Sequence, residues 1–362
     1  MMNYYNFAAG PACLPASVLQ RVQQEIFTPD KGVTLLEYPH RTPKIQQLAE
    51  DVLAAIRMAL QVPDTFEIIL LSGGARLLYG SIPLNLLREG SAVYGVSGHW
   101  SNMAYEEAKR IAPVTLAFNS DVHRSSVPDL HTWQIPAESR YCHLVDNETI
   151  DGLCLPHDLP DFGVPYVLDM TSSLGMLPLD YPRYGLIYAG AQKALGISGL
   201  TIVIIRKDWL SLPAHPLCPT PLQFQAMAAQ RSLMITPPTF AWVASKWMCH
   251  WIAEQGGIDY FYRRNQRWAA QLYDLIDSMP CYHNAVDPRY RSQINIIFEL
   301  KDKGWNEQFC EEAAKLGLLY VKGHLHKGGI RISLYPAMTE AGFNAICAFM
   351  QTFSKVAPQH AR

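Results

Sequence analysis

YGLIYAGAQKALGISGLTIVIIR, residues 184–206, places one lysine, Lys193, between two apolar runs. The first covers Leu186, Ile187, Tyr188 and Ala189; the second, strongly β-branched, extends from Thr201 to Ile205. Runs of this length and composition, punctuated by Gly190, Gly196 and Gly199, read as buried strands. A lysine held there, beside Ala191 and Ala194 rather than carboxylates, is partly desolvated, and desolvation favours the neutral, nucleophilic amine. Such an amine can form a Schiff base with a carbonyl. The small residues around it let a flat ligand approach the backbone closely. Taken alone, the stretch also fits a lysine that leaves a strand end and carries its ammonium to solvent on an apolar stem.

Upstream, the same grammar repeats. The strand pattern from Glu67 to Leu71 runs into Ser72-Gly73-Gly74-Ala75-Arg76 and then a helical pattern from Leu77, an order that points free backbone N–H groups at a phosphate. Neither GxGxxG nor GxxxxGK[ST] is present, so a dinucleotide or ATP site is not supported. The strand pattern from Ser91 to Val96 ends in Ser97-Gly98-His99-Trp100, where the indole either lies against an aromatic ligand or packs in the core. Tyr141 to Val145 is followed by Asp146-Asn147-Glu148-Thr149-Ile150-Asp151-Gly152, and Tyr166 to Leu168 ends in Asp169. An aspartate in that position is costly to bury without a cationic or hydrogen-bonded partner, and a protonated pyridine nitrogen would be one. Strands ending in polar residues, with helical patterns between, give an α/β domain with a mainly parallel sheet, whose ligands bind at the carboxyl ends of the strands. Thr149, Asp169, Lys193, Trp100 and the Gly73-Gly74 turn are therefore expected in one pocket.

The flanks complete the organisation. Helical spacing covers residues 16–26 and 45–60, and between them His40-Arg41 sits in a loop between Pro39 and Pro43, either as an anion-binding pair or as a solvated one. After Thr236-Pro237-Pro238-Thr239 and an apolar helical segment, Gly256-Gly257 breaks the chain. Beyond it, a long helix, short strands and Gly329-Ile330-Arg331 read as a smaller α+β unit. The expected division is a large domain, 16–257, and a small C-terminal domain, 258–362, with residues 1–15 packing near the latter.

A chain of 362 residues with 49% apolar residues buries a sizeable core. Its net charge of −2 and lack of a basic block argue against nucleic acid or an anionic membrane as partner. The N-terminus has no basic segment before an apolar core, and no apolar stretch reaches the length of a membrane span, so a soluble, cytoplasmic protein is expected. The eight cysteines are scattered without zinc-ligand spacing, and His324-x-His326 lacks a third ligand, so no metal is expected.

Six motifs in order carry a resemblance over essentially the whole chain: Asn6-Phe7-x-x-Gly10-Pro11, His40-Arg41, Asn147 to Gly152, Tyr188-Ala189-Gly190-Ala191-Gln192-Lys193, Thr236 to Thr239, and Gly329-x-Arg331. Together they resemble the phosphoserine aminotransferases, fold-type I pyridoxal-phosphate enzymes of the aminotransferase class V group. The resemblance implies pyridoxal 5′-phosphate as cofactor, with Lys193 as the Schiff-base lysine and Asp169 pairing with the pyridine nitrogen. Trp100 would stack on the ring, Thr149 would bond its phenolic oxygen, and Ala75, Arg76 and Gln192 would hold the phosphate. Thr236 would reach that phosphate from the neighbouring subunit, so a homodimer with shared sites is implied. Arg331 resembles the α-carboxylate anchor. His40 and Arg41 of the partner, with Arg76 and His324, resemble the clamp for the substrate's distal anion.

The implied reaction is transamination between O-phospho-L-serine with 2-oxoglutarate and 3-phosphooxypyruvate with L-glutamate, in serine biosynthesis, and also on the four-carbon analogue 4-phosphohydroxy-L-threonine in pyridoxal phosphate biosynthesis. The alternatives are a related aminotransferase with an altered amino acceptor and a cofactor-binding paralogue without turnover. The chain departs from the family pattern at Leu325, where Arg is usual, at Ile235, where Asn is usual, and at Ala9, where Ser is usual. His326 and Lys327 are the nearby groups able to compensate for Leu325.

Overall fold

The strands Tyr184–Gly190 and Leu200–Arg206 pair antiparallel in the middle of the chain's main sheet. The computed structural model describes residues 3–120 and 125–356, so the last six residues of the expected small domain and the first two of the expected N-terminal segment lie outside it. The sheet has seven strands, in the order Phe66–Ser72, Leu200–Arg206, Tyr184–Gly190, Tyr166–Asp169, Cys142–Val145, Ala92–Val96, Val114–Asn119. All pairings are parallel except the two made by Leu200–Arg206.

Alternation along the central strands supplies two cores. Ile187, Ala189, Ile202, Ile204, Ile68 and Leu70 face one side, and Leu186, Tyr188, Val203, Ile205, Ile69 and Leu71 face the other. Both faces are covered, which is why these strands read as unbroken apolar runs rather than as a polar–apolar alternation. The first face is packed by the helices Ala16–Phe27, Pro43–Leu60 and Thr239–Glu254. Pro43–Leu60 is helical because Pro43 sits in its first turn, where no N–H is needed, and Ile45, Leu48, Ala49, Val52, Ala55, Ile56 and Ala59 form one buried stripe. Gln61 ends it in the left-handed region, and Arg57 donates to the carbonyls of Val62, Pro63 and Phe66, tying that end to the next strand. The second face is packed by Leu77–Leu86, His99–Ala108 and Phe224–Ala229.

A third core lies in the C-terminal part. The long helix Gly257–Ser278 and the helices Trp305–Lys315 and Glu340–Phe353 enclose a three-stranded sheet of Tyr282–His283, Asn295–Leu300 and Ile330–Ser333. Phe7 is buried in this core, and the strand Tyr5–Asn6 pairs with Leu318–Leu319. Ile258, Phe261, Val286 and Tyr335 nevertheless belong to the first core, so Gly257–Ser278 bridges the two. Strand Ile330–Ser333 presents Arg331 toward the carboxyl ends of the main sheet, where it donates to the Thr149 carbonyl over 3.2 Å.

Candidate active site

A cavity of about 580 Å³ opens at the carboxyl ends of the parallel strands, lined by residues of both the main sheet and the C-terminal part. Of the residues singled out in the sequence, Ala75, Arg76, Trp100, Thr149, Asp169, Gln192, Lys193, His324 and Arg331 all line it. His40, Arg41 and Thr236 do not. They lie near one another elsewhere on the chain, with His40 Nδ1 3.4 Å from Thr236 Oγ1 and His40 Nε2 buried without a partner.

Lys193 lies in the turn that follows Tyr184–Gly190 and lines the cavity, partly accessible. Gly10 packs against its stem: a Cβ there would stand 3.2 Å from Lys193 Cγ, and Gly10 has φ +132°. No other residue type combines that backbone with that approach. Burial pushes the Lys193 ammonium down to about 8; Asp169 opposes the shift, Arg331 adds to it and Glu148 opposes it. The local sequence holds no carboxylate, so these two acidic neighbours are supplied by the fold alone.

Asp169 ends its strand buried, with its Oδ1 accepting from the Thr171 amide at 2.8 Å and its Oδ2 3.5 Å from the Tyr79 hydroxyl. Burial raises its pKa, partly offset by the Thr171 bonds and by Lys193. A cationic N–H placed at this carboxylate would offset the desolvation that raises it.

Trp100 stands in the first turn of His99–Ala108, and its indole Nε1 donates to Thr149 Oγ1 at 3.0 Å. The Thr149 hydroxyl keeps its own proton to donate to a ligand. Glu148, fully buried, caps that helix from another segment: it accepts from the amides of Trp100 (2.9 Å) and Ser101 (2.8 Å) and from the Ser101 hydroxyl (2.7 Å). Gly98 permits this approach, since a Cβ would lie 2.7 Å from Glu148 Cδ. Burial pushes Glu148 up to about 7 against the pull of these bonds.

Asn147, next to Glu148, also lines the cavity. Its amide nitrogen donates to Ser172 Oγ and Asn295 Oδ1, both at 2.8 Å, and its oxygen accepts from Ser292 Oγ at 2.5 Å. The network joins the main sheet to the strand beside Arg331. Glu148 and Asn147 belong to the Asn147 to Gly152 motif, but their roles depend on partners 25 to 148 positions away.

The phosphate-sized end of the cavity is the Gly73 to Arg76 turn. Gly73 is pinned to the loop after Lys193, donating to the Gly199 carbonyl at 2.9 Å while its own carbonyl accepts from Thr201 Oγ1. Helix Leu77–Leu86 begins directly after, so the turn's amides stand at a helix N-terminus, which favours an anion. Arg76 is exposed beside it, with Nη2 3.5 Å from Met103 Sδ. At the opposite wall Arg331 Nε is buried without a hydrogen-bond partner, an unmet donor facing a site that needs an acceptor. A flat, anionic, nitrogen-heterocyclic aldehyde fits this set: an anion cradle, an indole face, a buried carboxylate and a desolvated amine. Pyridoxal phosphate has those parts.

Among the described residues, no three His, Cys, Asp or Glu side chains are placed to hold a metal ion, and no helix is long and apolar enough to cross a membrane.

Residues 4–346 match the model of the class V aminotransferase family. The phosphoserine aminotransferase of Coxiella burnetii (strain RSA 331 / Henzerling II) is 42% identical over 98% of this chain and 99% of its own length. Among solved structures, phosphoserine aminotransferase from Bacillus circulans subsp. alkalophilus superposes with a TM-score of 0.93 at 34% identity, covering 98% of this chain and 99% of that one. The pyridoxal-phosphate-bound phosphoserine aminotransferase of Trichomonas vaginalis gives 0.91 at 32% identity, over 96% and 100%.

Proposed function

The chain belongs to the class V aminotransferases, and on that footing we propose that it is a pyridoxal-phosphate-dependent transaminase exchanging the amino group between O-phospho-L-serine and 2-oxoglutarate. The observation that carries this reading is the convergence of Lys193, Asp169, Trp100, Thr149 and Arg331 on one cavity of about 580 Å³. The cavity lies within the size range of small-molecule sites. When bound, pyridoxal phosphate supplies an aldehyde that takes up the amino group and a ring that accepts the electron pair left at the substrate's α carbon.

The chain's own residues do the rest. Lys193 would hold the cofactor, and its Nζ would take the proton from the substrate's α carbon and return it in the exchange. Desolvation supports both tasks by keeping the amine near neutrality. Asp169 keeps a proton on the pyridine nitrogen. The Thr149 hydroxyl would donate to the cofactor's phenolic oxygen while its lone pair holds the Trp100 indole in place. The amides of the Gly73 to Arg76 turn and Gln192 take the cofactor phosphate, and Arg331 offers its fork to the α-carboxylate.

His40, Arg41 and Thr236 belong to this proposal as residues that complete the partner's site in a homodimer. Their position outside this chain's own cavity supports that reading. The division at residues 257 and 258 is likewise proposed, with the cofactor held mainly by 16–257 and the carboxylate anchor supplied by 258–362. A cytoplasmic role in serine biosynthesis, and action on 4-phosphohydroxy-L-threonine in pyridoxal phosphate biosynthesis, complete the reading.

The test is direct. The protein loaded with pyridoxal phosphate is mixed with O-phospho-L-serine and 2-oxoglutarate, and glutamate is measured against alanine, serine and 4-phosphohydroxy-L-threonine as donors. A strong preference for the phosphorylated donors is expected; activity with the unphosphorylated donors alone would assign an altered acceptor, and no turnover with any donor would leave a binding protein.

A further inference from the structure

The loop 323–329 adjoins the cavity through His324, which lines it together with Arg331. It is a closed tip: Gly323 donates to the Gly329 carbonyl at 2.8 Å, and Lys327 and Gly328 donate to the His324 carbonyl at 3.0 and 2.7 Å. Its cationic side chains are used unequally. Lys327 Nζ is 3.0 Å from Oδ1 of the buried Asp151, so its ammonium latches the loop to the segment after Glu148. Leu325 is 92% exposed and carries no charge. The remaining groups are imidazoles. The ring of His324, which lines the cavity, has its centroid 5.1 Å from that of His326 and 6.2 Å from that of His99, and His99 and His326 are 6.1 Å apart. His99 in turn meets the Trp100 ring edge-on at 5.1 Å.

We propose that His326, with His99 beside it, is a specificity-determining residue for the phosphorylated substrate: three imidazoles, rather than a guanidinium or ammonium of this loop, meet the substrate's phosphate at the cavity mouth. The inference rests on the transaminase reading above and adds to it the groups that select the anion. The His326 amide donates to His324 Nδ1 at 3.3 Å, which leaves the proton of a neutral His324 on Nε2, a donor at any pH. Among the described residues, Arg331 and Asp151 are charged groups that act on His324, and Asp151 is paired with Lys327. Burial disfavours a proton on His324, and Arg331, His326 and His99 add to that, with Asp151 opposing. A phosphate dianion placed beside His324 opposes that burial, because it favours the protonated ring. Imidazoles as a class change charge between about pH 5 and 8, so recognition built from them weakens above neutral pH.

The test uses the holoenzyme and reads the ratio of kcat/KM for O-phospho-L-serine to that for L-alanine at pH 6.5, 7.5 and 8.5. In the wild type the ratio is expected to fall at least about threefold over that range, because the charge of imidazoles as a class is lost there. His326→Asn is expected to lower the ratio at pH 6.5 about tenfold, in keeping with one charge-assisted bond, and to flatten its pH dependence. His326→Arg, which fixes the charge, is expected to restore the ratio and keep it flat. Inorganic phosphate, as a competitive probe, is expected to inhibit the wild type more strongly at pH 6.5 than at 8.5 and to lose that difference in His326→Asn. A wild type that prefers phosphoserine while His326→Asn keeps both its ratio and its pH slope overturns this inference and leaves the reaction standing. A wild type without preference for phosphoserine at any pH overturns the reading of the substrate, and the inference with it.

Discussion

The indole nitrogen of Trp100 donates to the hydroxyl of Thr149 over 3.0 Å, so the aromatic wall of the cavity is fixed to the segment that follows the strand Cys142–Val145. Thr149→Val keeps the shape and removes the acceptor. The variant loses the bond from Trp100 and the one proposed to the cofactor's phenolic oxygen, about 1 kcal/mol each, so affinity for pyridoxal phosphate should fall about thirtyfold, read by quenching of tryptophan fluorescence on titration. Thr149→Ser should stay within twofold of wild type, about 0.4 kcal/mol. A loss in Thr149→Ser with none in Thr149→Val would mean that the methyl group, not the hydroxyl, sets the indole.

Glu148 makes a prediction with a pH sign. Its folded value of about 7 lies above the ordinary 4.5, so the stability contributed by the buried neutral form is fully present below about 4.5 and is lost as the pH rises through about 7. Glu148→Gln removes this titration. The stability difference between wild type and Glu148→Gln, from urea unfolding at pH 5 and pH 8, should therefore shift toward the variant by up to about 3 kcal/mol at the higher pH. A difference independent of pH would show that the carboxylate stays charged throughout, held by the Trp100 and Ser101 amides. Glu148→Ala should be destabilised at both pH values, because it strands those amides.

The chemistry of the site was legible where it coincides with buried strands. Tyr184–Gly190 and Leu200–Arg206 are covered on both faces, so their apolar runs flanked Lys193 in plain view, and Asp169 stood out as a charge ending another such run. The edge strand Val114–Asn119 was not legible: it is only partly buried, its side chains are mixed, and it opens the Pro- and His-containing region from Pro113 to Pro136. Nor were the roles of Asn147 and Glu148. A buried polar residue is explained by its partners, and Asn295 and Ser101 lie far away in sequence. Lys193 reads as free of acidic neighbours for the same reason, until folding brings Asp169 and Glu148 within electrostatic reach.

Lys193 should react as an amine poised near neutrality. With its proton affinity lowered to about 8, about one-tenth of the side chains are neutral at pH 7 and most are neutral at pH 9. In cofactor-free protein, the rate of covalent capture of pyridoxal phosphate, followed by absorbance, should rise with pH and level off just above 8. Lys193→Ala should abolish the capture. A rate still climbing at pH 10 would mean that the amine is solvated and that burial does not tune it.

Arg331 and its support are separable. Arg331→Lys keeps a charge but gives up the planar fork, and kcat/KM for glutamate should fall about tenfold or more, with stability unchanged within about 0.5 kcal/mol. Arg264, by contrast, touches no part of the cavity lining. It is buried in Gly257–Ser278 without a carboxylate, its guanidinium 4.3 Å from the Trp268 ring centre and 4.9 Å from that of Phe261. It donates to the carbonyls of Tyr335 (3.2 Å), Pro336 (2.8 Å) and Met338 (3.2 Å), which form the turn after the Arg331 strand. A lysine there reaches at most part of that set and loses the stacked plane. Arg264→Lys should therefore destabilise the fold by about 2 to 4 kcal/mol, measured by urea unfolding, since it leaves buried carbonyls unpaired. The KM for glutamate at a temperature well below unfolding should stay within about twofold of wild type, equivalent to about 0.4 kcal/mol. If instead KM rises in step with the loss of stability, the turn that Arg264 holds also sets the aim of Arg331, and the C-terminal sheet positions the carboxylate anchor through this one side chain.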